Sequence, residues 1–307
     1  VGTAEELSKN IPAHIELAWN PEFLREGFAV EDTLRPNRLV IGVTSDRAEE
    51  LLKQVYAVNL KEGTPWVRAN LPTAELVKVS ANSFLATKIS FINAMAEICE
   101  TAGGDVTVLA KAIGYDPRIG NRFLQAGIGF GGGCLPKDIR AFMARAEELG
   151  ASQSLEFLRE IDSINSRARQ RLIDVVRNEL GMDLKSKKIA VLGVAFKPDS
   201  DDVRDSPALD IAAQLHAAGA VVKIHDPKAI VPAKRRFPTL EFVDDVEACI
   251  KGSDLILHLT EWKIYRELDP IKLKSLVNNP SIIDGRNALD RESWRAAGWR
   301  FHGLGRA

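Results

Sequence analysis

The pattern of apolar and polar positions divides the chain into three stretches. Residues 183–307 hold short apolar runs separated by helix-patterned segments, residues 72–182 are almost entirely helix-patterned, and residues 1–71 mix the two. Short continuous apolar runs indicate buried strands, and a period of about 3.6 residues indicates amphipathic helices. The pattern therefore predicts an α/β protein with a helical segment in its middle.

The last stretch predicts a doubly wound domain with a parallel sheet. Its strand-like runs are 188–193, 221–225, 254–259 and 281–284, and residues 207–218 form a helix with Ser206 as its N-cap. Strands that alternate with helices favour a parallel sheet. Ligands of such sheets bind where a strand runs into a loop, which makes 193–197 a candidate site.

The other two stretches are less regular. In the middle stretch, a long helix is expected from a cap at Thr73 to about residue 101, followed by helices at 105–113, 138–149 and 154–180. In the first stretch, strands are expected at 15–19 and 38–43, and a helix at 46–58 with Ser45 as its N-cap. This first pattern resembles a βαβ unit but is too short to close a parallel sheet alone.

Composition narrows the class of protein. The 307 residues are 45% hydrophobic and 27% charged, which indicates a globular protein. The net charge is -1, so no overall positive potential attracts nucleic acid or an anionic membrane. No apolar run reaches the roughly 18 residues of a membrane span. The three distant cysteines, Cys99, Cys134 and Cys249, indicate a reducing compartment, the cytoplasm. Their spacing predicts no metal site.

One decapeptide, residues 129–138, concentrates the candidate chemistry. Three glycines precede Cys134, and Lys137 and Asp138 follow it. The glycines would let a ligand approach the thiol, and nearby charges favour the reactive thiolate. Alternatively, Cys134 is a small buried residue beside a turn, as most free cysteines are. Residues 127–132 also match a dinucleotide fingerprint, but they follow a helix-patterned segment and open no helix, which disfavours that interpretation.

Two further sets of polar residues are candidates. Lys78 and Asn82 share one helix face, as part of a solvated stripe or as donors to a developing oxyanion. Glu22 and Glu26, taken alone, read as surface carboxylates. With a nucleophilic cysteine in reach, one of them would position or deprotonate a water.

Four segments, 20–27, 75–88, 129–138 and 193–197, resemble the UDP-glucose/GDP-mannose 6-dehydrogenase family in sequence and order. Residues 116–120 are most similar to bacterial UDP-glucose members. The resemblance covers nearly the whole chain. It implies an NAD-dependent, two-step oxidation of UDP-glucose at C6 to UDP-glucuronate.

The resemblance also implies roles for single residues. Cys134 would form a thiohemiacetal and then a thioester, Lys78 and Asn82 would stabilise the oxyanion, and Glu22 and Asp138 would handle water and protons. The implied cofactor contacts are Glu26, Lys137 and Arg204. The implied substrate contacts, besides Lys78 and Asn82, are Phe23, Leu24, Arg25, Glu26, Arg118, Phe123, Leu124, Gln125, Ala126, Gly127, Gly131, Lys197 and Arg286. A homodimer through the long central helix is implied as well, with Arg118 reaching the partner's substrate.

The chain departs from the family at its start, because the glycine fingerprint of the N-terminal NAD-binding domain does not appear. We interpret residues 1–71 as the remainder of that domain, 72–182 as the central dimerisation domain and 183–307 as the UDP-sugar-binding domain. Two alternatives stay open. The substrate would be GDP-mannose or a UDP-aminosugar, or the chain would be a non-catalytic module that binds a sugar nucleotide and dimerises.

Overall fold

The computed structural model describes residues 1–306. They form two compact units, one of residues 1–84 and 138–152, and the other of residues 85–137 and 153 onward. Within the described residues, the strands are β1 (Ala18–Trp19), β2 (Leu39–Val43), β3 (Trp66–Ala69), β4 (Lys188–Leu192), β5 (Val221–His225), β6 (Glu241–Phe242), β7 (Leu255–His258), β8 (Ser281–Asp284) and β9 (Arg300–Gly303).

The α-helices of residues 1–306 follow in chain order. They are α1 (Thr3–Ser8), α2 (Ala29–Leu34), α3 (Asp46–Val55), α4 (Ala57–Lys61), α5 (Leu71–Ala102), α6 (Val106–Gly114), α7 (Leu135–Glu148), α8 (Glu156–Leu180), α9 (Pro207–Ala217), α10 (Ile230–Arg236), α11 (Val246–Ile250), α12 (Lys263–Arg266), α13 (Pro270–Lys274) and α14 (Arg291–Ala296). None of these helices is both long and apolar enough to cross a bilayer.

The first unit contains a three-stranded sheet in the order β1-β2-β3. β2 is buried along its whole length and pairs with β1 antiparallel and with β3 parallel. The Ser45 hydroxyl accepts the N–H of Ala48 at 3.0 Å and caps α3, as the sequence predicts. The single helix predicted over 46–58 is two helices, because α3 ends at Val55 and α4 begins at Ala57. The cap of α5 is Asn70, whose side chain accepts the Thr73 N–H at 2.9 Å, so the predicted Thr73 cap is wrong.

The second unit contains a six-stranded sheet in the order β6-β5-β4-β7-β8-β9, with every neighbouring pair parallel. This confirms the predicted doubly wound parallel sheet. Numbered from β4, the order is the 3-2-1-4-5-6 of dinucleotide-binding domains. The order reverses between β4 and β7, and the loops that follow these two strands form the edge where ligands of such sheets bind.

Candidate active site

Cys134 is exposed and directly precedes α7. The other two cysteines are buried, and burial raises the pKa of Cys249 to about 12. Since a thiol must be accessible to react, Cys134 is the candidate nucleophile among the three.

Buried side chains from two helices hold the glycine loop that leads to Cys134. Asn165 of α8, 1% exposed, accepts the Phe130 N–H at 2.7 Å through its side-chain oxygen and donates to the Phe130 carbonyl at 3.0 Å. Asn93 of α5 accepts the Gly127 N–H at 2.8 Å. The Asn165 amide has both its donor and its acceptor satisfied, and a buried, satisfied amide fixes the backbone that it binds. The loop is therefore held in one conformation on its α8 side.

The glycines of this loop are needed for packing. A Cβ on Gly131 would collide with the backbone of Asp205, one on Gly132 with the ring of Phe196, and one on Gly133 with the guanidinium of Arg204. The sequence suggested that these glycines leave room for a ligand, but protein atoms of 196–205 fill that space. Gly132 also has a φ of +84°, which favours glycine.

Arg286, in the turn after β8, joins three loops of the second unit. Its guanidinium donates to the carbonyls of Leu259 at 2.8 Å, Gly129 at 3.0 Å and Phe196 at 3.3 Å. Burial lowers its pKa, and the nearby carboxylate of Glu261 opposes that effect. The implied substrate contact is thus also a link between the Cys134 loop and the loops that follow β4 and β7.

The other implied ligand contacts of the second unit differ in accessibility. Phe123 and Gln125 are exposed, whereas Leu124, Ala126 and Gly127 are buried. Arg118 is exposed and forms a bidentate pair with Asp116, which raises the pKa of its guanidinium. The ammonium of Lys197 lies 5.5 Å from the ring centre of Phe196, and Arg204 forms a bidentate pair with Asp202. Lys137, in the first turn of α7, is exposed.

Four of the implied catalytic residues form two polar pairs in the first unit. Lys78 and Glu22 are joined by an ion pair, and the Asn82 amide donates to Asp138 at 2.7 Å. Lys78 and Asn82 lie one turn apart on α5, and Asp138 is buried. Lys78 and Asn82, the predicted oxyanion donors, therefore each bind one of the two carboxylates that are predicted to act on water.

A cavity of about 330 Å³ in the first unit is lined by the loop that contains Glu22, Phe23 and Leu24. The Arg38 guanidinium stacks on Phe23 at 3.9 Å from the ring centre. Arg25 is exposed and forms a bidentate pair with Asp32, which raises the pKa of its guanidinium. Glu26 is half-buried.

Sequence reasoning missed Asn93 and Asn165, and it also missed Asp226 and Thr260, which bind the loop after β4. Asp226 stands directly after a strand-like run, a position that does give a signal in an α/β pattern. The asparagines gave none, because a polar residue within a helical pattern reads as a surface position.

Three domain models of one family match the chain in order. They describe the UDP-glucose/GDP-mannose dehydrogenase family as its NAD binding domain at residues 1–59, its central domain at 72–167 and its UDP binding domain at 190–291.

Curated proteins and solved structures agree with these models. UDP-glucose 6-dehydrogenase TuaD of Bacillus subtilis (strain 168) is 43% identical over 94% of this chain and 61% of its own length. UDP-glucose 6-dehydrogenase of Rhizobium meliloti (strain 1021) is 37% identical over 100% of this chain and 71% of its own. A UDP-glucose dehydrogenase of the archaeon Pyrobaculum islandicum superposes with a TM-score of 0.85 at 34% identity, over 95% of this chain and 64% of that one. A UDP-D-ManNAc dehydrogenase of Pyrococcus horikoshii gives 0.84 at 26% identity, over 99% and 70%.

The chain thus spans 61% of the length of TuaD and 71% of the Rhizobium relative. Identity at this level over nearly the whole chain, together with three domain models in order, is specific evidence of common descent. The chain belongs to the UDP-glucose/GDP-mannose dehydrogenase family.

Proposed function

We propose that this protein is an NAD-dependent UDP-glucose 6-dehydrogenase that oxidises C6 of UDP-glucose to the carboxylate of UDP-glucuronate. The observation that carries the proposal is the exposed Cys134 at the end of a side-chain-clamped glycine loop, in a chain that belongs to this family. In this proposal NAD binding belongs to residues 1–71, dimerisation to residues 72–182 and UDP-sugar binding to residues 183–307.

Cys134 would carry the substrate between the two oxidations. Its sulfur adds to the C6 aldehyde, so a C–S bond forms and the carbonyl oxygen takes up negative charge. The N–H donors of Lys78 and Asn82 suit that charge. Loss of a hydride from C6 converts the thiohemiacetal to a thioester. Water then breaks the C–S bond, the thiol is regenerated, and Glu22 or Asp138 accepts the proton of the water.

NAD would supply the two-electron oxidant for each step when it is bound. Arg204, with two thirds of its side chain exposed, and the exposed Lys137 are cations suited to its diphosphate. Glu26 is the third proposed contact. The free thiols, one of them exposed, support a reducing compartment, and we place the protein in the cytoplasm.

A UDP-aminosugar is the second candidate substrate, with GDP-mannose behind it. It is favoured by the TM-score of 0.84 with the UDP-D-ManNAc dehydrogenase of Pyrococcus horikoshii. The curated relatives named as UDP-glucose 6-dehydrogenases are more similar in sequence, at 37% to 43% identity. For this reason UDP-glucose comes first.

The test follows NADH formation by the purified chain with UDP-glucose, GDP-mannose and UDP-N-acetylmannosamine in parallel. We expect two NADH per uronate with UDP-glucose. Cys134→Ser should abolish uronate formation while UDP-glucose still binds, and Cys99→Ala, at a buried thiol, should remain active. Binding of UDP-glucose without NAD reduction would indicate a non-catalytic module. Preferential turnover of another sugar nucleotide would replace the substrate assignment.

A further inference from the structure

A buried carboxylate closes the end of β5. Asp226, 2% exposed, directly follows this strand. Its oxygens accept five N–H donors at 2.8 to 3.2 Å, namely the backbone N–H groups of Val194, Ala195, Lys228 and Ala229 and the indole N–H of Trp262. A carboxylate out of water is stable only with such partners, and its hydrogen bonds to them are stronger than neutral ones. Asp226 therefore fixes the first residues of the loop after β4.

The position of Asp226 in the strand order indicates what its hydrogen bonds to the loop after β4 replace. In dinucleotide-binding domains with this strand order, the loop after the first strand binds a pyrophosphate through its backbone, and an acidic residue further along binds a ribose hydroxyl. Here β4 is the first strand and β5 the second. The carboxylate after β5 points at the loop after β4 and takes the N–H groups of Val194 and Ala195. The protein itself thus supplies the anion for these amides.

Side chains also bind the carbonyls of the same segment. The Ser206 hydroxyl donates to Val194 at 2.7 Å, the Thr260 hydroxyl to Ala195 at 2.7 Å, and Arg286 to Phe196 at 3.3 Å. The Phe196 N–H donates to the backbone carbonyl of Asp202 at 3.1 Å. The backbone N–H groups of 194–196 are all used within the protein, so this segment has none of these three N–H groups left for a ligand. The first side chain after the clamped segment is Lys197.

We propose that Asp226 is a positioning residue for Lys197. By taking the place of a ligand phosphate on the loop amides, it holds the loop so that the Lys197 ammonium is presented to the diphosphate of a sugar nucleotide. The inference rests on the proposed function for the class of ligand. It explains how a sheet with dinucleotide-binding strand order serves a sugar nucleotide, since the backbone site is filled and a lysine remains at the rim.

The test is a double-mutant cycle on UDP binding, measured by calorimetry with the whole chain. A hydrogen bond to a charged group contributes about 1.5 to 3 kcal/mol, so Lys197→Met should weaken UDP binding roughly 10-fold to 100-fold. Asp226→Asn should weaken it by a similar factor, and the double variant should be hardly weaker than either single one. Full additivity, or unchanged UDP binding by Asp226→Asn, would overturn the inference. If the unmodified chain does not bind UDP, the proposed function fails instead.

A second variant guards against a folding defect in Asp226→Asn. Thr260→Val keeps the shape of a fully buried side chain but removes its bond to the Ala195 carbonyl. It should weaken UDP binding several-fold and should lose that effect in the Lys197→Met background. The matched control is Asp183→Asn, at an exposed carboxylate that accepts the Lys185 N–H at 2.9 Å before β4 begins. That variant should bind UDP normally. If Thr260→Val weakens UDP binding by the same factor in the Lys197→Met background, then Asp226 and Thr260 only maintain the fold and do not position Lys197.

Discussion

At the scale of single residues, the two polar pairs of the first unit keep donors and acceptors matched before any substrate binds. Lys78 holds Glu22, and Asn82 holds Asp138. A developing oxyanion would accept hydrogen bonds from the same two donors. Each carboxylate would then lose its partner and could accept a hydrogen bond from a water molecule. The four residues are therefore expected to act in the chemical steps more than in binding.

Removal of one donor should slow the reaction more than it weakens binding. We expect Lys78→Met and Asn82→Ala to lower kcat for NADH formation from UDP-glucose about 100-fold to 1000-fold, the usual loss for an oxyanion donor. KM should change only a few-fold. Steady-state kinetics give both numbers. Lys53→Met, which breaks an ordinary ion pair with Glu49 on α3, is the matched control and should retain full activity. A change in KM alone would contradict the oxyanion role.

The shared helix face of Lys78 and Asn82 follows from their spacing, but their partners do not. Glu22 and Asp138 each lie 56 positions away in sequence from the donor that they contact. Hydrophobic periodicity describes one element at a time, so contacts of this range appear only once the chain is folded. The interpretation of Glu22 as an ordinary surface carboxylate came from the same lack of information.

At the scale of elements, the glycine loop owes its shape to α8. Asn165 both accepts from and donates to Phe130, a pairing that no carboxylate can make. Asn165→Asp should therefore leave the Phe130 carbonyl facing an oxygen, at a cost of about 1 to 3 kcal/mol in the free energy of unfolding. Urea unfolding measures this loss. We also expect a changed rate of Cys134 alkylation by iodoacetamide, because the loop ends at that thiol.

The control for this prediction is Asn10→Asp. That exposed asparagine of the first unit donates to the Glu6 carbonyl at 3.0 Å. It should unfold nearly as the unmodified chain does and react with iodoacetamide at the same rate. Equal alkylation rates in Asn165→Asp and the unmodified chain would show that α8 does not set the position of Cys134. The sequence revealed the loop through its clustered glycines, but the atoms that fill the space beside them come from 196–205.

At the scale of the whole molecule, the hydrophobic pattern predicts the parallel sheet of the second unit but not its two edge strands, β6 and β9. β4, β7 and β8 lie in predicted runs because they contain adjacent buried apolar residues, as central parallel strands do. β5 lies in a predicted run through Val221, Val222 and Ile224, although Lys223 interrupts it. β6 has only two residues, and β9 alternates buried and exposed positions, so neither forms a continuous apolar run. The strand order follows from no local pattern. It depends on pairing between strands that lie far apart in the sequence.

The assembly of two chains is the remaining proposal at this scale. Phe91 and Ile98 lie seven residues apart on α5, so they share a face, and they are 46% and 60% exposed. Light scattering should give a mass of twice 33.7 kDa for the unmodified chain. Phe91→Asp combined with Ile98→Asp should give the single mass, because a packed apolar interface does not accept unpaired charges. Val231→Asp, at a 60% exposed position on α10, should leave the larger mass unchanged. A monomeric unmodified chain, or a double variant that keeps the larger mass, would exclude this face of α5 as the interface.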